Sequence, residues 1–568
     1  MTVWRGIAAV LAASGLALSP AVGAAPEAAT TTPIRHLIVV IGENLSFDNV
    51  FATFVPPPGQ TVDNLLSKGI VKRDGSPGPN FALAAQRMAS PDGRYQVTPP
   101  ATGVFPSLPR PNTTYARGQP FFVPDLRFPT ELPNGPLQIT RYAPYMEFVG
   151  DPVHRFFQMW QQFDGGRMDL FVWTALTSGE GAKSHDDPTL STRQGGVAMG
   201  FYNMAAGDAP YLRELAQRYA LADNYHQPIM GGTGANYFAL STGYVASYLA
   251  DGKPAVPPAN QIENPEPRAG TVNWYTQSGY RGGSYVDCAD PHQPGVAAIR
   301  GYLATLPYRT FRDGNCRPDT YYLVNNYHPG FTPGGEPKPL GPNEFTLPPQ
   351  NQPTIAEALA AKGVSWKWYS GGRTDGGINR DQYCDICDAL THSRAVMTGP
   401  LKQNLVGVDQ LYHDLDASAL PAVSFVVPPN IESGHPAYST VSRYESFLRQ
   451  LIAKVRAQKS LWASTAILVT TDESGGYYDD GYTQILDFFG DGTRITMIAV
   501  SPFARKGRVI HTYYDHVSIL KFIERNWRLA PLSPESRDNL PDPVMSATDP
   551  YVPQNRPAIG DLMELFQF

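Results

Sequence analysis

The sequence Thr465-Ala-Ile-Leu-Val-Thr-Thr471 runs directly into Asp472-Glu473-Ser474-Gly475-Gly476. A continuous apolar run of this kind is typical of a strand that is covered on both faces of a parallel sheet. His36-Leu-Ile-Val-Val-Ile41 shows the same pattern and continues into Gly42-Glu43-Asn44. Ligands of open α/β sheets bind beyond the carboxyl ends of the strands, so these two polar ends predict a site at one edge of the sheet.

Other segments extend this α/β pattern. Further apolar runs predict strands over residues 364–369, 422–427 and 495–501. Thr354-x-x-Glu357 is a capping box that predicts the start of a helix, and Gly363 would end it. Apolar residues at helical spacing over 447–455 predict a second helix, and Asp515 can cap a third that extends to Trp527. The predicted fold is a largely parallel central sheet with helices on both faces.

Composition narrows the class of protein. The 568-residue chain is 42% hydrophobic, which is enough for a large core, and its net charge of −6 argues against a nucleic-acid partner. Aromatic residues make up 11% and no triplet or heptad repeat is present, which excludes collagen-like, coiled-coil and disordered classes. Glycine and proline are abundant over residues 55–145 and 244–350. We interpret these stretches as ordered insertions over one sheet and not as independent domains.

The N-terminus has the pattern of an export signal. A basic start at Arg5 precedes an apolar stretch from Ile7 to Leu18 and the small residues Ala21-Val-Gly-Ala24. A membrane anchor is the weaker alternative because this apolar core is too short to span a bilayer. Residues 1–24 are therefore predicted to be a signal peptide and 25–568 a single domain. The expected location is the periplasm or the extracellular medium.

Four cysteines are present, at positions 288, 316, 384 and 387. In an oxidising compartment they can form two disulfides with three possible pairings. We favour Cys288–Cys316 and Cys384–Cys387. A zinc site at Cys384-x-x-Cys387 is the competing interpretation, but it lacks a second paired cluster at ligand spacing.

A glycine-rich turn supplies a candidate nucleophile. Gly231-Gly232-Thr233-Gly234 precedes a helical pattern that extends to Thr242. Its glycines would expose the Thr233 hydroxyl beside free backbone N–H groups, which is a favourable environment for an anion. Carboxylates at two buried strand ends are costly unless a cation neutralises them. Each signal has a simpler explanation, such as a helix N-cap at Thr233 or a turn at Asp472, but together they suggest metal-assisted phosphoryl transfer.

Several segments resemble the bacterial phosphoesterase family. This family includes secreted acid phosphatases and phosphocholine-type phospholipases C, and it belongs to the alkaline phosphatase superfamily. The similar segments are Gly42–Asp48, Asp151–His154, Gly231–Asn236, Asn325–Gly330, Asp472–Asp479 and His511–His516. They occur in the expected order over roughly residues 34–530, and Asn325–Gly330 looks more like the acid-phosphatase branch. The resemblance implies an alkaline phosphatase-like fold.

The same resemblance implies a site for one divalent metal ion. The implied ligands are Glu43, Asn44, Thr233, Asp472 and Glu473. Thr233 would be the nucleophile and would form a covalent phosphothreonine. Three histidines would contact phosphate oxygens and protonate the leaving group: His154, His328 and His435. The oxygen-rich ligand set favours Ca²⁺ or Mg²⁺, with zinc as an alternative.

Some residues depart from the family pattern and bear on substrate preference. Leu45 stands where arginine is usual, Ser474 interrupts a common glycine run, and His435 lacks the usual acidic stretch before it. We predict an exported phosphomonoesterase of the acid-phosphatase type. The alternatives are a phospholipase C that hydrolyses phospholipid phosphodiesters and an inactive protein that binds a phosphorylated ligand. The expected partner is a small phosphorylated substrate or a phospholipid head group, and His511 and His516 are expected to be structural.

Overall fold

A central eight-stranded sheet organises the chain in the computed structural model. The model describes residues 1, 29–90, 93–121, 123–177, 194–266, 282–311, 316–374 and 377–568, so the predicted signal peptide lies outside the described residues apart from Met1. The strands are β1 (His36–Gly42), β2 (Ala220–Ala222), β3 (Trp366–Ser370), β4 (Leu405–Gly407), β5 (Val423–Val427), β6 (Thr465–Thr471), β7 (Met497–Val500) and β8 (Val509–Ile510).

The strand order across the sheet is β4-β3-β5-β1-β6-β7-β2-β8. β1 runs parallel to both β5 and β6, whereas β7 is antiparallel to β6 and β2. Gly42 of β1 lies opposite Thr471 of β6, so Glu43 and Asp472 leave the sheet side by side. Every residue of β6 is buried, which means that both faces of the sheet are covered. The prediction of a largely parallel α/β sheet is confirmed.

Helices cover the sheet in two groups. α10 (Val441–Ala457) packs with α4 (Pro210–Arg218) and α11 (Lys459–Trp462), whereas α5 (Thr233–Thr242) packs with α7 (Ile355–Ala361) and α12 (Val517–Trp527). Thr354 and Glu357 form the predicted capping box, and the Asp515 carboxylate accepts the amides of Val517 and Ser518 at 2.8 and 3.2 Å. The helices are α1 (Phe47–Phe51), α2 (Phe156–Phe163), α3 (Phe171–Thr177), α4 (Pro210–Arg218), α5 (Thr233–Thr242), α6 (Val296–Leu303), α7 (Ile355–Ala361), α8 (Arg394–Met397), α9 (Val408–Asp416), α10 (Val441–Ala457), α11 (Lys459–Trp462) and α12 (Val517–Trp527).

The sequence patterns predicted correctly that the long strands exist, but they predicted the first and last residues of these strands less well. β3 begins two residues later than predicted, and β7 is shorter than the predicted run over 495–501 and is antiparallel to its neighbours. Apolar residues beyond a strand end also pack in the core, so hydrophobicity alone does not mark the boundary. β2, β4 and β8 have only two or three residues each, too few to produce a recognisable pattern.

The two Pro/Gly-rich stretches contribute to the same core as the sheet. Tyr95 and Phe128 from the first stretch and Val286 and Ile299 from the second are buried in the main hydrophobic cluster. Short two-stranded ribbons stiffen these and neighbouring loops: Arg87–Ala89 with Ala101–Val104, Leu108–Pro109 with Glu131–Leu132, Leu137–Gln138 with Gly200–Phe201, Tyr225–His226 with Tyr514–Asp515, Leu249–Ala250 with Lys253–Pro254, Tyr285–Val286 with Tyr322–Leu323, and Arg373–Thr374 with Gly377–Ile378. No described helix is both long enough and apolar enough to cross a membrane.

Both predicted disulfides are present. Cys288 is bonded to Cys316, and Cys384 is bonded to Cys387. The second bond rules out the competing zinc interpretation for the oxidised protein, because a disulfide sulfur carries no thiolate to bind the metal.

A buried arginine joins the loops that follow β1 and β6. The Arg494 guanidinium is fully buried and pairs with Asp48 at 3.1 Å and with Asp479 at 3.0 Å. It also donates to the backbone carbonyls of Asp63 and Asp223 at 2.7 and 3.1 Å. These bonds satisfy a charge that would otherwise be costly to bury, and they hold the two loops together.

The His511 side chain is structural, and it makes stability depend on pH. Its Nδ1 lies 2.7 Å from Asp223 Oδ1. Burial opposes protonation, but the hydrogen bond and the charge of Asp223 outweigh it and raise the pKa of His511 above 6.5. The stabilisation is therefore complete below about pH 6.5 and is lost as the pH rises through the folded-state pKa.

We expect His511→Gln to reduce the free energy of unfolding by about 1 kcal/mol more at about pH 5.5 than at about pH 8.5. Denaturant unfolding at both pH values measures this difference. His413→Gln, at an exposed position of α9, is the matched control and should show no pH-dependent difference. An equal loss at both pH values for His511→Gln would contradict the expectation.

Candidate active site

The candidate site forms where the loops after β1 and β6 meet. The Asp472 amide donates to the Gly42 carbonyl at 3.0 Å, and the Leu45 amide donates to the Glu473 carbonyl at 3.1 Å. The Asn44 amide donates to Asp472 Oδ1 at 3.1 Å. These bonds continue the β1–β6 pairing beyond the strands and bring the polar side chains of both loops into one buried place.

This close approach requires glycine at position 475. Asn44 has a left-handed backbone with φ of 59°, and Gly475 has φ of 61°. A Cβ atom at Gly475 would lie 2.5 Å from the Asn44 Cβ, which is too close for any side chain. The glycine therefore allows the loop after β6 to fold over Asn44.

Thr233 reaches this place from the start of α5. Gly232 is the N-cap residue of α5, and Thr233 is the first helical residue. The Thr233 hydroxyl donates to Glu473 Oε1 at 3.1 Å, and the residue is 4% exposed. Its hydroxyl is directed at a carboxylate and does not cap the helix, so the N-cap explanation for Thr233 is wrong.

The turn before α5 is held rigidly by two asparagines. Asn236 Nδ2 donates to the Gly231 carbonyl at 2.9 Å, and Asn236 Oδ1 accepts the Ile229 amide at 3.0 Å. Asn326 Oδ1 accepts the Gly234 amide at 2.7 Å. The expectation that the amides of this turn are free for an anion therefore fails at Gly234, because a residue distant in sequence occupies that donor.

Three buried oxygens of the site have no hydrogen-bond partner among the described residues: Asn44 Oδ1, Asp472 Oδ2 and Glu473 Oε2. Buried polar atoms are normally paired, so three unpaired acceptors in one place indicate a missing positive group. Oxygens from carboxylates and an amide are the ligands that hard divalent cations prefer. The residues present therefore fit a divalent metal ion.

The raised pKa values of the three carboxylates are a second sign that the site fits a divalent cation. Burial, followed by the charge of Asp472, raises the pKa of Glu43 and of Glu473 well above 4.5. Burial also raises the pKa of Asp472 to about 7, although hydrogen bonds from Asn44 and Thr233 limit the rise. Three buried like charges are mutually destabilising unless protons or a cation neutralise them.

Two of the three predicted histidines lie on a wall beside Asn44. Asn44 Nδ2 donates to His435 Nε2 at 3.0 Å, and His435 Nδ1 faces the Pro436 carbonyl. His154 Nδ1 donates to the Pro152 carbonyl at 2.6 Å, which leaves its Nε2 open. Burial lowers the pKa of His154 to about 4, and it lowers the pKa of His435 despite the opposing charge of Asp151.

Asp151 links these histidines, and the sequence interpretation did not select it. Its carboxylate lies 3.7 Å from His154 Nδ1, 4.0 Å from His435 Nε2 and 3.4 Å from Asn44 Nδ2. Burial raises its pKa to about 6, while His435 and Asn44 oppose the rise. The segment Asp151–His154 was noted for its family resemblance, but only its histidine was considered as a site residue.

His328 has a different setting from the other two histidines. Its Nδ1 lies 2.7 Å from Asp385 Oδ2, and its side chain is 42% exposed. Asp385 lies next to Cys384 in the chain. The Sγ atom of Cys387, the disulfide partner of Cys384, lies 2.9 Å from Glu43 Oε1. His328 therefore belongs to a wall that adjoins Glu43 through this disulfide.

His516 bonds to the backbone of the candidate metal ligand Asp472 and to Tyr225. Its Nε2 donates to the Asp472 carbonyl at 2.7 Å, and its Nδ1 accepts the Tyr225 hydroxyl at 2.7 Å. Burial lowers the pKa of His516 to about 4, so the ring is neutral in the folded protein. His516 fixes the backbone of Asp472, in agreement with the structural role predicted for it.

The charge cluster leads to a stability prediction. We expect Asp472→Asn to raise the free energy of unfolding by about 1–2 kcal/mol in the presence of a chelator at about pH 8.5, because above its pKa of about 7 Asp472 adds a buried negative charge that the variant lacks. The same variant should lose the stabilisation that a divalent cation gives the unmodified protein. Thermal unfolding with chelator and with added Ca²⁺, Mg²⁺ or Zn²⁺ measures both effects.

The matched control for that experiment is Asp409→Asn, at an exposed position in the first turn of α9. It should leave both the unfolding transition and the response to cations unchanged. A lower stability of Asp472→Asn in chelator would show that the carboxylate is held by protein contacts and does not strain the metal-free site.

Sequence comparisons show that this chain is similar to known phosphoric ester hydrolases. Hemolytic phospholipase C from Pseudomonas aeruginosa is 24% identical over 395 residues, which cover 65% of this chain and 43% of that protein. A probable acid phosphatase from Kluyveromyces lactis is 24% identical over 231 residues, covering 38% of this chain and 52% of that protein. The matches thus span about half or less of each of these relatives.

Among solved structures, a protein in the alkaline phosphatase superfamily from Vibrio parahaemolyticus matches with 11% identity and a TM-score of 0.26, over 58% of this chain and 63% of that chain. The sequence model of the Phosphoesterase family matches residues 34–530. This range includes β1, β6, Thr233 and the three histidines at positions 154, 328 and 435. The chain therefore belongs to the Phosphoesterase family.

Proposed function

We propose that the protein is an exported, metal-dependent phosphomonoesterase that acts through a covalent phosphothreonine at Thr233. The observation that carries this proposal is the 3.1 Å hydrogen bond from the Thr233 hydroxyl to Glu473, beside three unpaired buried oxygens. A hydroxyl bonded to a carboxylate at the rim of a cation site is arranged as an activated nucleophile. The two disulfides are consistent with an oxidising compartment outside the cytoplasm.

Glu43, Asn44, Asp472 and Glu473, together with the Thr233 hydroxyl, would hold the metal ion. When bound, a divalent cation supplies Lewis-acid polarisation of the hydroxyl and of a phosphoryl oxygen. The fit of the site to such an ion is supported by the unpaired oxygens of Asn44, Asp472 and Glu473.

The first step is an in-line displacement at phosphorus. The Thr233 Oγ1–P bond forms, the P–O bond to the leaving group breaks, and the Thr233 proton passes to Glu473. In this proposal the leaving alkoxide takes a proton from Nε2 of His154, the ring nitrogen that does not face the Pro152 carbonyl. A bound phosphate dianion raises the pKa of a neighbouring imidazole, so this proton can arrive with the substrate.

The second step regenerates Thr233. A water molecule attacks the phosphothreonine from the side that the alcohol has vacated, and the neutral His154 accepts its proton. The P–O bond to Thr233 breaks, the hydroxyl recovers a proton from Glu473, and inorganic phosphate leaves. In this proposal His435 would contact the phosphate oxygens once it is protonated at Nε2, the nitrogen that accepts from Asn44 Nδ2 in the structure.

A phospholipase C is the second candidate, because a relative that covers 65% of this chain carries that name. It would use the same nucleophile and metal ligands on a phosphodiester. Recognition of choline requires an aromatic cage or a carboxylate that is available to the ammonium group. An inactive binding protein is the third candidate, and only it would tolerate the loss of Thr233.

We expect Thr233→Ala to lower kcat for nitrophenyl phosphate by about 10³-fold or more, since it removes the nucleophile. Thr233→Ser keeps a hydroxyl and should retain measurable turnover. Acid quenching during turnover followed by mass spectrometry should locate one phosphoryl group on residue 233 of the wild type.

Nitrophenyl phosphorylcholine should be assayed in parallel with nitrophenyl phosphate. A faster turnover of the choline diester would favour the phospholipase C alternative. Full activity of Thr233→Ala on either ester would refute the nucleophile assignment, and no activity of the metal-loaded wild type on either would favour a binding protein.

The proposed role of His154 as general acid can be tested with two esters whose leaving groups differ in their need for a proton. We expect His154→Gln to lower kcat/KM about 10²-fold or more for an alkyl phosphate but only about tenfold or less for nitrophenyl phosphate, whose leaving group departs without a proton. His292→Gln, an exposed histidine next to Gln293, serves as control and should affect neither substrate. Equal losses on both esters would mean that His154 positions the phosphate and does not supply the proton.

A further inference from the structure

A cavity beside the candidate site has a distinct charge pattern. It has a volume of about 510 Å³, and the residues that matter here are His328, Lys338, Arg380, Tyr383 and Asp385. Only one carboxylate, that of Asp385, occurs among the described residues that line it, against two permanent cations. The cavity is therefore a positively charged compartment.

Two chain segments connect this cavity to the reacting groups. Tyr383 and Asp385 flank Cys384, and a carboxylate oxygen of Glu43 and the sulfurs of Cys384 and Cys387 lie within 4.8 Å of one another. On the other side, His328 follows Asn326, which accepts the Gly234 amide at 2.7 Å. Residues that line the cavity are therefore one or two positions along the chain from residues that contact Glu43 and the Gly231–Gly234 turn.

The same two segments pack near each other at the Gly231–Gly234 turn, which carries Thr233. A Cβ atom placed on Gly234 would lie 3.4 Å from Asn326 Oδ1 and 3.6 Å from the Cβ of Ile386. Ile386 lies between Asp385 and Cys387 in the chain, so the segment that contributes Asp385 to the cavity also packs close to Gly234.

The Asp385 carboxylate, which lines the cavity, already has two basic partners. Asp385 Oδ2 lies 2.7 Å from His328 Nδ1 and 3.7 Å from Lys338 Nζ. Burial opposes its ionisation, but His328 and Lys338 outweigh burial and lower the pKa of Asp385. Arg380 adds a second cation to the lining, so the compartment keeps an excess of positive charge.

The aromatic residue of the cavity is also engaged. The Arg373 guanidinium lies 5.7 Å from the centre of the Tyr383 ring, and the Tyr383 hydroxyl donates to Asp388 at 2.8 Å. A quaternary ammonium group needs an open aromatic face or an available carboxylate. Among the described lining residues, Tyr383 is engaged with Arg373 and Asp385 with His328 and Lys338, and the cations Lys338 and Arg380 would repel an ammonium group.

We propose that this cavity receives the leaving group and selects phosphomonoesters whose leaving group carries a second anion, such as a carboxylate, over those that carry an ammonium group. Lys338 and Arg380 are the specificity-determining residues. This inference rests on the proposed phosphomonoesterase function and assigns it a substrate class.

Three monoesters that differ in the charge of the leaving group test this inference: phosphoglycerate (anionic), glycerol phosphate (neutral) and phosphocholine (cationic). We expect kcat/KM to decrease in that order, with about a tenfold preference for phosphoglycerate over glycerol phosphate. Lys338→Met and Arg380→Gln should each reduce this preference about threefold or more, and the double variant should abolish it. The ratio of the two esters is the readout, so a general loss of folding or metal does not imitate the effect.

Lys253→Met, at an exposed position of the ribbon Leu249–Ala250 with Lys253–Pro254, removes the same charge elsewhere and should leave the preference unchanged. A preference that survives in the double variant, or faster hydrolysis of phosphocholine than of glycerol phosphate, would overturn the inference while leaving the phosphomonoesterase proposal intact. Absence of Thr233-dependent hydrolysis of all three esters would overturn both.

Discussion

The parallel pairing of β1 with β6 is the constraint on which the rest of the molecule depends. Its register sets Gly42 opposite Thr471, so the residues that follow, Glu43 and Asp472, emerge together at one edge of the sheet. Hydrogen bonds between the two following loops extend the pairing past the strands. Because both strands are buried on both faces, the carboxylates at their ends are withdrawn from water, which makes their charges costly and gives them affinity for a cation.

The loops after β1 and β6 carry two sets of acidic residues, and the two sets differ in whether a buried cation neutralises them. Asp48 and Asp479 are neutralised by the buried guanidinium of Arg494, and the loops are tied together there. Glu43, Asp472 and Glu473 have no comparable basic partner within the described residues, and oxygens of Asp472 and Glu473 remain unpaired. The first set contributes to the architecture, whereas the second concentrates negative charge beside the Thr233 hydroxyl. This contrast separates a structural ion pair from the site that we propose holds a metal ion.

Much of this arrangement could be predicted because it is local in sequence. Long apolar runs identified β1, β5 and β6, and the polar residues at their ends identified Glu43, Asn44 and the Asp472-Glu473 pair as neighbours. Contributions from distant segments escaped prediction. Asp151 approaches two histidines only after folding, and Asn326 occupies the Gly234 amide from a loop about ninety residues away. His328 was grouped with His154 and His435 by its resemblance to the family, yet its imidazole pairs with Asp385 on the cavity wall.

The sequence by itself determined the α/β class, the strand ends that carry the acids and the glycine turn around Thr233, and it favoured one of the three possible pairings of the four cysteines. These features follow from hydrophobic periodicity, turn chemistry and short separations along the chain. Only the tertiary structure decided which oxygens are left unpaired, which histidine has an open nitrogen and how the cations lie around the cavity at Asp385. Those properties depend on burial and on distances between segments far apart in the chain, and a linear pattern contains neither quantity.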